Sequence, residues 1–165
     1  STLLASSAAS DVYKRQNYLG YIEEAFLAYK TERYNIKGKD VVAGNCKYYL
    51  NDLSFKNFLY PGFAYGVGYL LENAVYLELR RLGYIVYTGS FRDKEVDFVA
   101  MKDDRVIYLQ ATYMLETAQT MEREYAPLLT IGDNYEKYVV SMDEVQFPSN
   151  EGVRHIQAWN LKEIL

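Results

Sequence analysis

The sequence predicts an α/β fold, a mixed β-sheet flanked by helices, and three observations carry this prediction. Apolar residues recur at helical spacing over residues 66–83, and Gly83 marks the end of that helix. Three runs with strand-like alternation follow within residues 84–115. A second helical run over residues 117–131 precedes two further strand-like runs. The order from residue 66 onward, α-β-β-β-α-β-β-α, is typical of helices packed on a mixed sheet.

The first third of the chain has weaker patterns. Residues 17–29 have the spacing of an amphipathic helix end, and residues 27–52 alternate like a β-hairpin. Gly38-Lys39 and Gly44-Asn45 are turn signals within the hairpin. A helix followed by a two-stranded wing is the back half of a winged-helix domain. Residues 17–60 are therefore predicted to be a partial winged-helix region.

Residues that favour turns separate the remaining predicted elements. The connector over residues 53–65 contains Pro61 and Gly62, so a domain boundary is predicted at residue 61, with an α/β domain over 61–165. The predicted strands cover 84–91, 95–101, 105–115, 137–145 and 154–159, with a turn at Asp103-Asp104 and a short terminal helix over 160–165. Thr117 is predicted to be the N-cap of the second helix.

The first sixteen residues are interpreted as a leader that is not native to the protein. The eleven residues over 6–16, "SSAASDVYKRQ", can be back-translated in frame into a transposase adapter used to prepare sequencing libraries. A natural tail is the alternative. Residues 1–16 are excluded from the fold prediction in either case.

Composition restricts the classes of function. Half of the 165 residues are apolar and 18 are tyrosine, which excludes a disordered chain. A formal net charge of −4 argues against a whole-surface grip on nucleic acid. Cys46 and His155 are each the single residue of their type, which excludes an intramolecular disulfide and a Cys/His zinc cluster. A reduced, cytoplasmic compartment fits these counts, and no apolar run is long enough to predict a membrane partner.

A local cluster of basic residues provides candidate nucleic-acid contacts. These residues lie in the predicted hairpin and are Lys30, Arg33, Lys37, Lys39 and Lys47. Clustered Lys and Arg side chains neutralise phosphates. A solvated charged face is the alternative, and it is favoured because runs of this density are usually solvated.

Four residues in the α/β domain form a candidate catalytic constellation. Glu72 lies on the first helix, Asp97 on the second strand, and Gln110 and Thr112 on the third. This order is similar to the restriction-endonuclease-like core of the PD-(D/E)xK type. That core uses a helix acid, a strand Asp and a Glu-x-Lys pair. The carboxylates hold Mg²⁺ at the phosphate, and the Lys activates the water.

The departures from that pattern predict an inactive site. Gln110 stands in the place of the Glu and offers an oxygen without charge, and Thr112 stands in the place of the Lys and offers no cation. Glu72, Asp97 and Gln110 are the candidate ligands if Mg²⁺ binds at all. Strand alternation predicts that Asp97 shares a face with Glu95 and Val99, at a sheet edge or in a cleft. In a purely structural interpretation, Glu72 is an ordinary solvated acid.

Several longer segments of the sequence indicate a protein family. The segments "GYLLENAVYLELRRLGYIVYTG", "KEVDFVA", "YLQATYML" and "TMEREYAPLLTIGDNYEKYVVSMDE" occur in order. They closely resemble the C-terminal domain of bacterial and archaeal AAA-type ATPase-like proteins, called domain of unknown function 4143, which belongs to the restriction-endonuclease-like superfamily. The resemblance implies a preceding P-loop ATPase module, and the Gln-x-Thr variant is usual in this group. The present sequence has no G-x-x-x-x-G-K-[ST] motif, so ATP is expected only in that other module.

Three functions remain open from the sequence. The favoured one is a non-enzymatic accessory module of the ATPase that contacts DNA or a protein. The second is a Mg²⁺-dependent DNA nuclease that uses Glu72, Asp97 and Gln110. The third is a protein-interaction module that regulates the ATPase.

Overall fold

The computed structural model describes residues 2–62 and 66–165, with side chains described from Tyr13 onward, and it confirms the α/β prediction. In this part of the chain seven strands form one mixed sheet in the order β2-β1-β3-β4-β5-β6-β7. The strands are β1 (Ala28–Asn35), β2 (Asp40–Leu50), β3 (Ile85–Phe91), β4 (Lys94–Lys102), β5 (Arg105–Ala111), β6 (Glu136–Ser141) and β7 (Val153–Gln157). The helices are α1 (Thr2–Glu24), α2 (Ser54–Leu59), α3 (Val67–Arg81), α4 (Ala118–Leu129) and a 3₁₀ helix (Ala158–Glu163).

Two hydrophobic clusters lie on the two faces of this sheet. On one face, α3 buries Leu71, Val75 and Leu79 against Phe98 and other strand residues. These helix residues recur every four positions, which explains why the period of the sequence predicts the helix and its buried side. On the other face, α4 packs with the second cluster, which includes Tyr125, Leu128, Val96, Val99 and Val139. No helix in the described residues is long and apolar enough to cross a membrane.

Local signals set most element ends as predicted. Thr117 is the N-cap of α4, and its hydroxyl accepts a hydrogen bond from the Thr120 amide at 3.1 Å. Gly83 follows α3 with a φ of +87°, a conformation that favours glycine. The predicted terminal helix is a 3₁₀ helix that begins at Ala158. The predicted connector contains a short helix, α2, which its sequence pattern did not indicate.

The predicted hairpin is confirmed as β1 and β2, and it belongs to the same sheet as the later strands. β1 pairs in parallel with β3, with Arg33 opposite Thr88. The boundary predicted at residue 61 therefore does not separate two sheets, and the winged-helix interpretation stays a prediction. The turn at Gly38-Lys39 is confirmed, whereas Gly44-Asn45 lies inside β2 at a register irregularity. At the N-terminus, α1 continues from the predicted leader into the rest of the chain.

A β-bulge in β4 corrects the expected face of Asp97. Gly89 pairs with Val96 and Tyr87 pairs with Val99, so two residues of β4 oppose one residue of β3. Val96 and Val99 consequently pack in the same cluster on the α4 side, although they are three positions apart. Asp97 instead reaches a lysine that is bound to α3. The prediction that Asp97 shares a face with Val99 is wrong because the bulge interrupts the alternation, and β4 is a central strand rather than a sheet edge.

We expect Gly89→Ala to lower the free energy of unfolding by about 1–3 kcal/mol, because it overpacks the bulge. A Cβ atom at Gly89 would lie 2.9 Å from Val99 Cγ2, 3.0 Å from Val96 Cβ and 3.0 Å from Ile36 Cδ1. Urea unfolding measures the change. Gly132→Ala is the matched control, because a Cβ atom there meets nothing within 4 Å. Equal stabilities of Gly89→Ala and the wild type would contradict this packing.

Candidate functional site

Lys47 of β2 is the centre of the candidate site, where it contacts acidic residues of α3 and β4. Its Nζ atom lies 2.9 Å from Glu72 Oε1, 2.9 Å from Glu95 Oε1 and 3.4 Å from Asp97 Oδ1. The structure thus brings Glu72 and Asp97 together, as the sequence predicted, but through an ammonium group from β2. Asp97 is buried, and Lys47 and Glu72 are half-buried.

The end of β2 is fixed to α3 by two consecutive helix residues. Lys47 and Tyr49 are two positions apart on β2 and point to the same side, and the Tyr49 hydroxyl donates to Glu72 Oε1 at 2.7 Å. The next helix residue, Asn73, is fully buried. It accepts from the Leu50 amide at 2.8 Å and donates to the Leu50 carbonyl at 2.9 Å. Lys47 is therefore held at Glu72 by the strand as well as by charge.

Asp97 lies where β4 and β5 diverge. The pairing of these strands ends at Phe98 and Leu109. Beyond that point, Asp97 Oδ2 accepts a hydrogen bond from the Ala111 amide at 3.0 Å, and Gln110 Oε1 accepts one from the Asp97 amide at 3.3 Å. The two side chains thus replace backbone hydrogen bonds that the diverging strands no longer make.

Gln110 extends the polar network to the opposite layer of the fold. Its Nε2 atom donates to Glu124 Oε2 on α4 at 3.2 Å, and Glu124 Oε1 pairs with Arg123 at 2.6 Å. Glu124 is a buried carboxylate. The Gln110 amide both accepts from the Asp97 backbone and donates to Glu124, which an ionised glutamate could not do, so the Gln that departs from the nuclease pattern has a structural reason. Thr112 is buried, and its backbone amide donates to the Val140 carbonyl.

The pKa values of the three central groups, Asp97, Lys47 and Tyr49, are all raised by their surroundings. Burial and then the nearby Glu72 carboxylate raise the pKa of Asp97 to about 7, although Lys47 opposes this effect. Burial lowers the pKa of Lys47, but the Asp97 and Glu72 carboxylates outweigh it and the net pKa is raised. Burial and Glu72 also raise the pKa of the Tyr49 hydroxyl, which therefore stays a donor.

The charges at the site nearly balance within the protein. Arg33 adds a second cation, and its Nη2 atom lies 2.7 Å from Glu95 Oε2. Two cations therefore face three carboxylates. Of the basic residues proposed for nucleic-acid contact, Lys47 and Arg33 are committed to these pairs. Lys39 lies over the Tyr135 ring at 5.9 Å, and Lys30 and Lys37 are exposed.

The residues at this site do not fit the Mg²⁺ ion that the resemblance to a nuclease core implies. Both oxygens of Asp97 and Oε1 of Glu72 already accept hydrogen bonds from protein donors. Gln110 turns its amide to Glu124 and the Asp97 backbone. Within the described side chains, no group of three or more His, Cys, Asp or Glu residues is arranged to hold a metal ion. The geometry supports an internal ion-pair network.

Sequence reasoning missed Tyr49 and Glu124 as members of this network. It placed Glu95 on the face of Asp97 and proposed Lys47 only as a nucleic-acid contact. The Lys47-x-Tyr49 spacing was a usable signal, because residues two apart on a strand share a side. Nothing local indicated that this side faces Glu72, since that depends on the pairing of β1 with β3.

A second polar cluster combines a serine, a histidine and an aspartate, but the directions of its hydrogen bonds exclude a nucleophilic triad. The Phe147 amide donates to His155 Nδ1 at 3.2 Å, so Nε2 carries the proton and donates to Ser141 Oγ at 2.8 Å. Ser141 in turn donates to Asp143 Oδ2 at 2.7 Å. In a triad the aspartate would orient the histidine, and here it accepts from the serine instead. All three side chains are buried, so the cluster fixes the segment that follows β6.

We expect this cluster to make stability fall as the pH drops below about 6.5, the usual pKa of histidine. Burial lowers the pKa of His155, and Asp143 offsets part of that effect. Between the two pKa values, the histidine of the unfolded chain binds a proton and His155 of the folded chain does not. The stabilisation by the neutral imidazole is therefore complete above the pKa of the unfolded state, and it is lost as the pH falls through the pKa of the folded state. The measurement is the difference in urea stability between the wild type and His155→Gln from about pH 8 to about pH 5. A difference that does not shrink on acidification would contradict the neutral buried imidazole.

Two relatives extend the description beyond this chain. The chain is 34% identical over 140 residues to an uncharacterized protein of Haemophilus influenzae, an alignment that covers 85% of this chain and 34% of that protein. It is 32% identical over 112 residues to an uncharacterized protein of Methanocaldococcus jannaschii. That alignment covers 66% of this chain and 24% of the other protein. The chain thus spans about a third or less of these relatives. No family model matches the chain, and no solved structure matches it significantly.

Proposed function

We propose that this chain is a non-catalytic accessory module of a larger AAA-type ATPase-like protein, in which a restriction-endonuclease-like site has become a structural network. The observation that carries the proposal is the Lys47 ammonium among Glu72, Glu95 and Asp97. A nuclease needs these carboxylates to hold metal at the phosphate. In this chain they neutralise a lysine and fix the edge of the sheet to α3.

The proposed role of the module is to contact a protein partner, with DNA as the alternative ligand. Two of the five basic residues proposed for DNA contact are paired with acids, and the net charge is −4. Both facts disfavour binding that depends on phosphate neutralisation. The length of the relatives supports a module within a longer protein. We further propose that this protein is cytoplasmic and binds ATP in another module.

One observation favours the nuclease alternative. Lys47 places an ammonium group beside Asp97, and so supplies in space the cation that Thr112 does not supply on its own strand. A site of this kind would have to release Lys47 from Glu72 before the carboxylates became available.

Nicking of supercoiled plasmid in millimolar Mg²⁺ or Mn²⁺ separates the two functions. The proposal predicts that the wild type and Asp97→Ala leave the plasmid equally intact. Metal-dependent nicking by the wild type that disappears in Asp97→Ala would establish the nuclease. A parallel titration with labelled duplex DNA is expected to show no binding at physiological salt. Binding that weakens steeply with salt would make DNA the ligand.

A further inference from the structure

The short helix α2 is inverted relative to an ordinary surface helix. Its one buried residue is Lys56, whereas Phe58 is 83% exposed and Leu59 is 62% exposed. Phe55 and the following Tyr60 are also exposed. A surface helix normally directs apolar side chains inward and charged ones outward. The outward face of α2 therefore has the composition of a buried face.

The end of α1 shows a second departure of the same kind. The Leu27 amide bonds to the Ile22 carbonyl at 3.0 Å and the Phe26 amide to the Glu23 carbonyl at 3.0 Å, which is a Schellman motif with Phe26 at the left-handed position. Phe26 has a φ of +56°, where glycine is favoured and a bulky residue is strained. Its ring is nevertheless 68% exposed. Because most of its surface is open, the aromatic side chain gains little packing within the described chain to offset the strain.

These two features lie near each other in the fold, and we call their exposed apolar residues the aromatic corner. The Asn51 amide donates to the Leu27 carbonyl at 3.0 Å, so the end of α1 lies beside the turn that leads into α2. The aromatic corner consists of Phe26, Leu27, Phe55, Phe58, Leu59 and Tyr60, all exposed. Taking ~200 Å² per aromatic side chain, the corner exposes on the order of 600 Å². That is at the upper limit for a monomer surface and approaches the roughly 800 Å² that one partner contributes to a stable interface.

We infer that the aromatic corner is the docking surface for the remaining polypeptide of the full-length protein, an apolar surface on its other module. This rests on the proposed function, which makes the chain one module of a longer protein. About two thirds of the Haemophilus influenzae relative lies outside the aligned segment, so further polypeptide is covalently attached in that protein. Covalent linkage raises the effective concentration to the millimolar range, and a patch of this size then suffices for docking.

The test is hydrogen exchange in a full-length chimera in which this chain replaces the aligned segment of the Haemophilus influenzae relative. The backbone amides of residues 54–60 are expected to exchange at least about ten-fold more slowly in the chimera than in the 165-residue chain, because docking protects the helix. Phe58→Glu in the chimera is expected to abolish that protection. Val145→Glu is the matched control, since Val145 is an exposed apolar residue outside the corner and its change is expected to leave the protection intact.

Phe26→Gly provides an independent variant that does not threaten folding. It relieves the left-handed strain, so it is expected to raise the melting temperature of the isolated chain by roughly 2–4 °C while reducing the protection of α2 in the chimera. Equal exchange of residues 54–60 in the chimera and the isolated chain would overturn the inference. So would protection in the isolated chain that accompanies a dimer in sedimentation, because a second copy would then cover the corner. Plasmid nicking by the same proteins reports on the proposed function separately, since these changes do not touch Lys47 or Asp97.

Discussion

Replacing Lys47 with methionine is expected to lower the free energy of unfolding by about 2–4 kcal/mol at about pH 8. Methionine preserves the apolar stem of the lysine but leaves Glu72 and Asp97 with no cation, and Glu95 with Arg33 alone. Removing one partner of a largely buried charge cluster costs more than the pair contributes, because uncompensated charges remain. Urea unfolding of the two proteins measures the difference.

The pH dependence of that difference identifies its cause. The pKa of Asp97 is already raised to about 7, and it rises further when the lysine is removed. Acidification protonates Asp97 and removes part of the repulsion, so the penalty of Lys47→Met is expected to be smaller at about pH 5 than at about pH 8. Lys30→Met is the matched control, since Lys30 is an exposed lysine on the neighbouring strand. A Lys47→Met protein as stable as the wild type at the higher pH would contradict the network.

Gln110→Glu, which restores the carboxylate of the nuclease pattern, is expected to destabilise the fold by about 1–3 kcal/mol at neutral pH. Gln110 accepts from the Asp97 amide and donates to Glu124. An ionised glutamate at this position has no donor for Glu124 and places a like charge against it, so a hydrogen bond is replaced by repulsion. The substitution is therefore expected to produce no nicking activity.

The control for this change is Gln119→Glu, which makes the same chemical substitution at an exposed site in the first turn of α4. It is expected to be neutral or slightly stabilising, because acids are favourable near a helix N-terminus. The structural role of Gln110 would be contradicted if Gln110→Glu were at least as stable as the wild type and nicked plasmid with Mg²⁺. Gln110 would then stand in the place of a catalytic carboxylate and would not be needed to link Asp97 to Glu124.

The sequence predicted the parts of this fold that depend on local chemistry. The apolar period of α3, the strands β3 to β5 and the Thr117 cap involve residues within a few positions of one another, so their patterns are readable in one dimension. The resemblance to the nuclease core also implied that Glu72 and Asp97 lie together.

The rest depended on tertiary pairing. Lys47 reaches Glu72 because β1 pairs in parallel with β3 and carries β2 beside α3, and no pattern in β2 encodes that partner. The bulge opposite Thr88 changed the direction of Asp97, because alternation assumes an uninterrupted ladder. From the sequence, Gln110 was interpreted as an uncharged metal ligand, because nothing nearby in the sequence indicates a partner for its amide NH₂ group. The fold supplies that partner, Glu124 of α4.

The most direct test of the internal ion-pair network is Mn²⁺ binding followed by electron paramagnetic resonance, in which the signal of the free ion declines as it binds. If Lys47 holds the carboxylates, the wild-type chain leaves the signal of millimolar Mn²⁺ unchanged, and Asp97→Asn gives the same trace. A stoichiometric loss of the free-ion signal in the wild type that Asp97→Asn restores would contradict the account, because the carboxylates would then be open to a divalent metal.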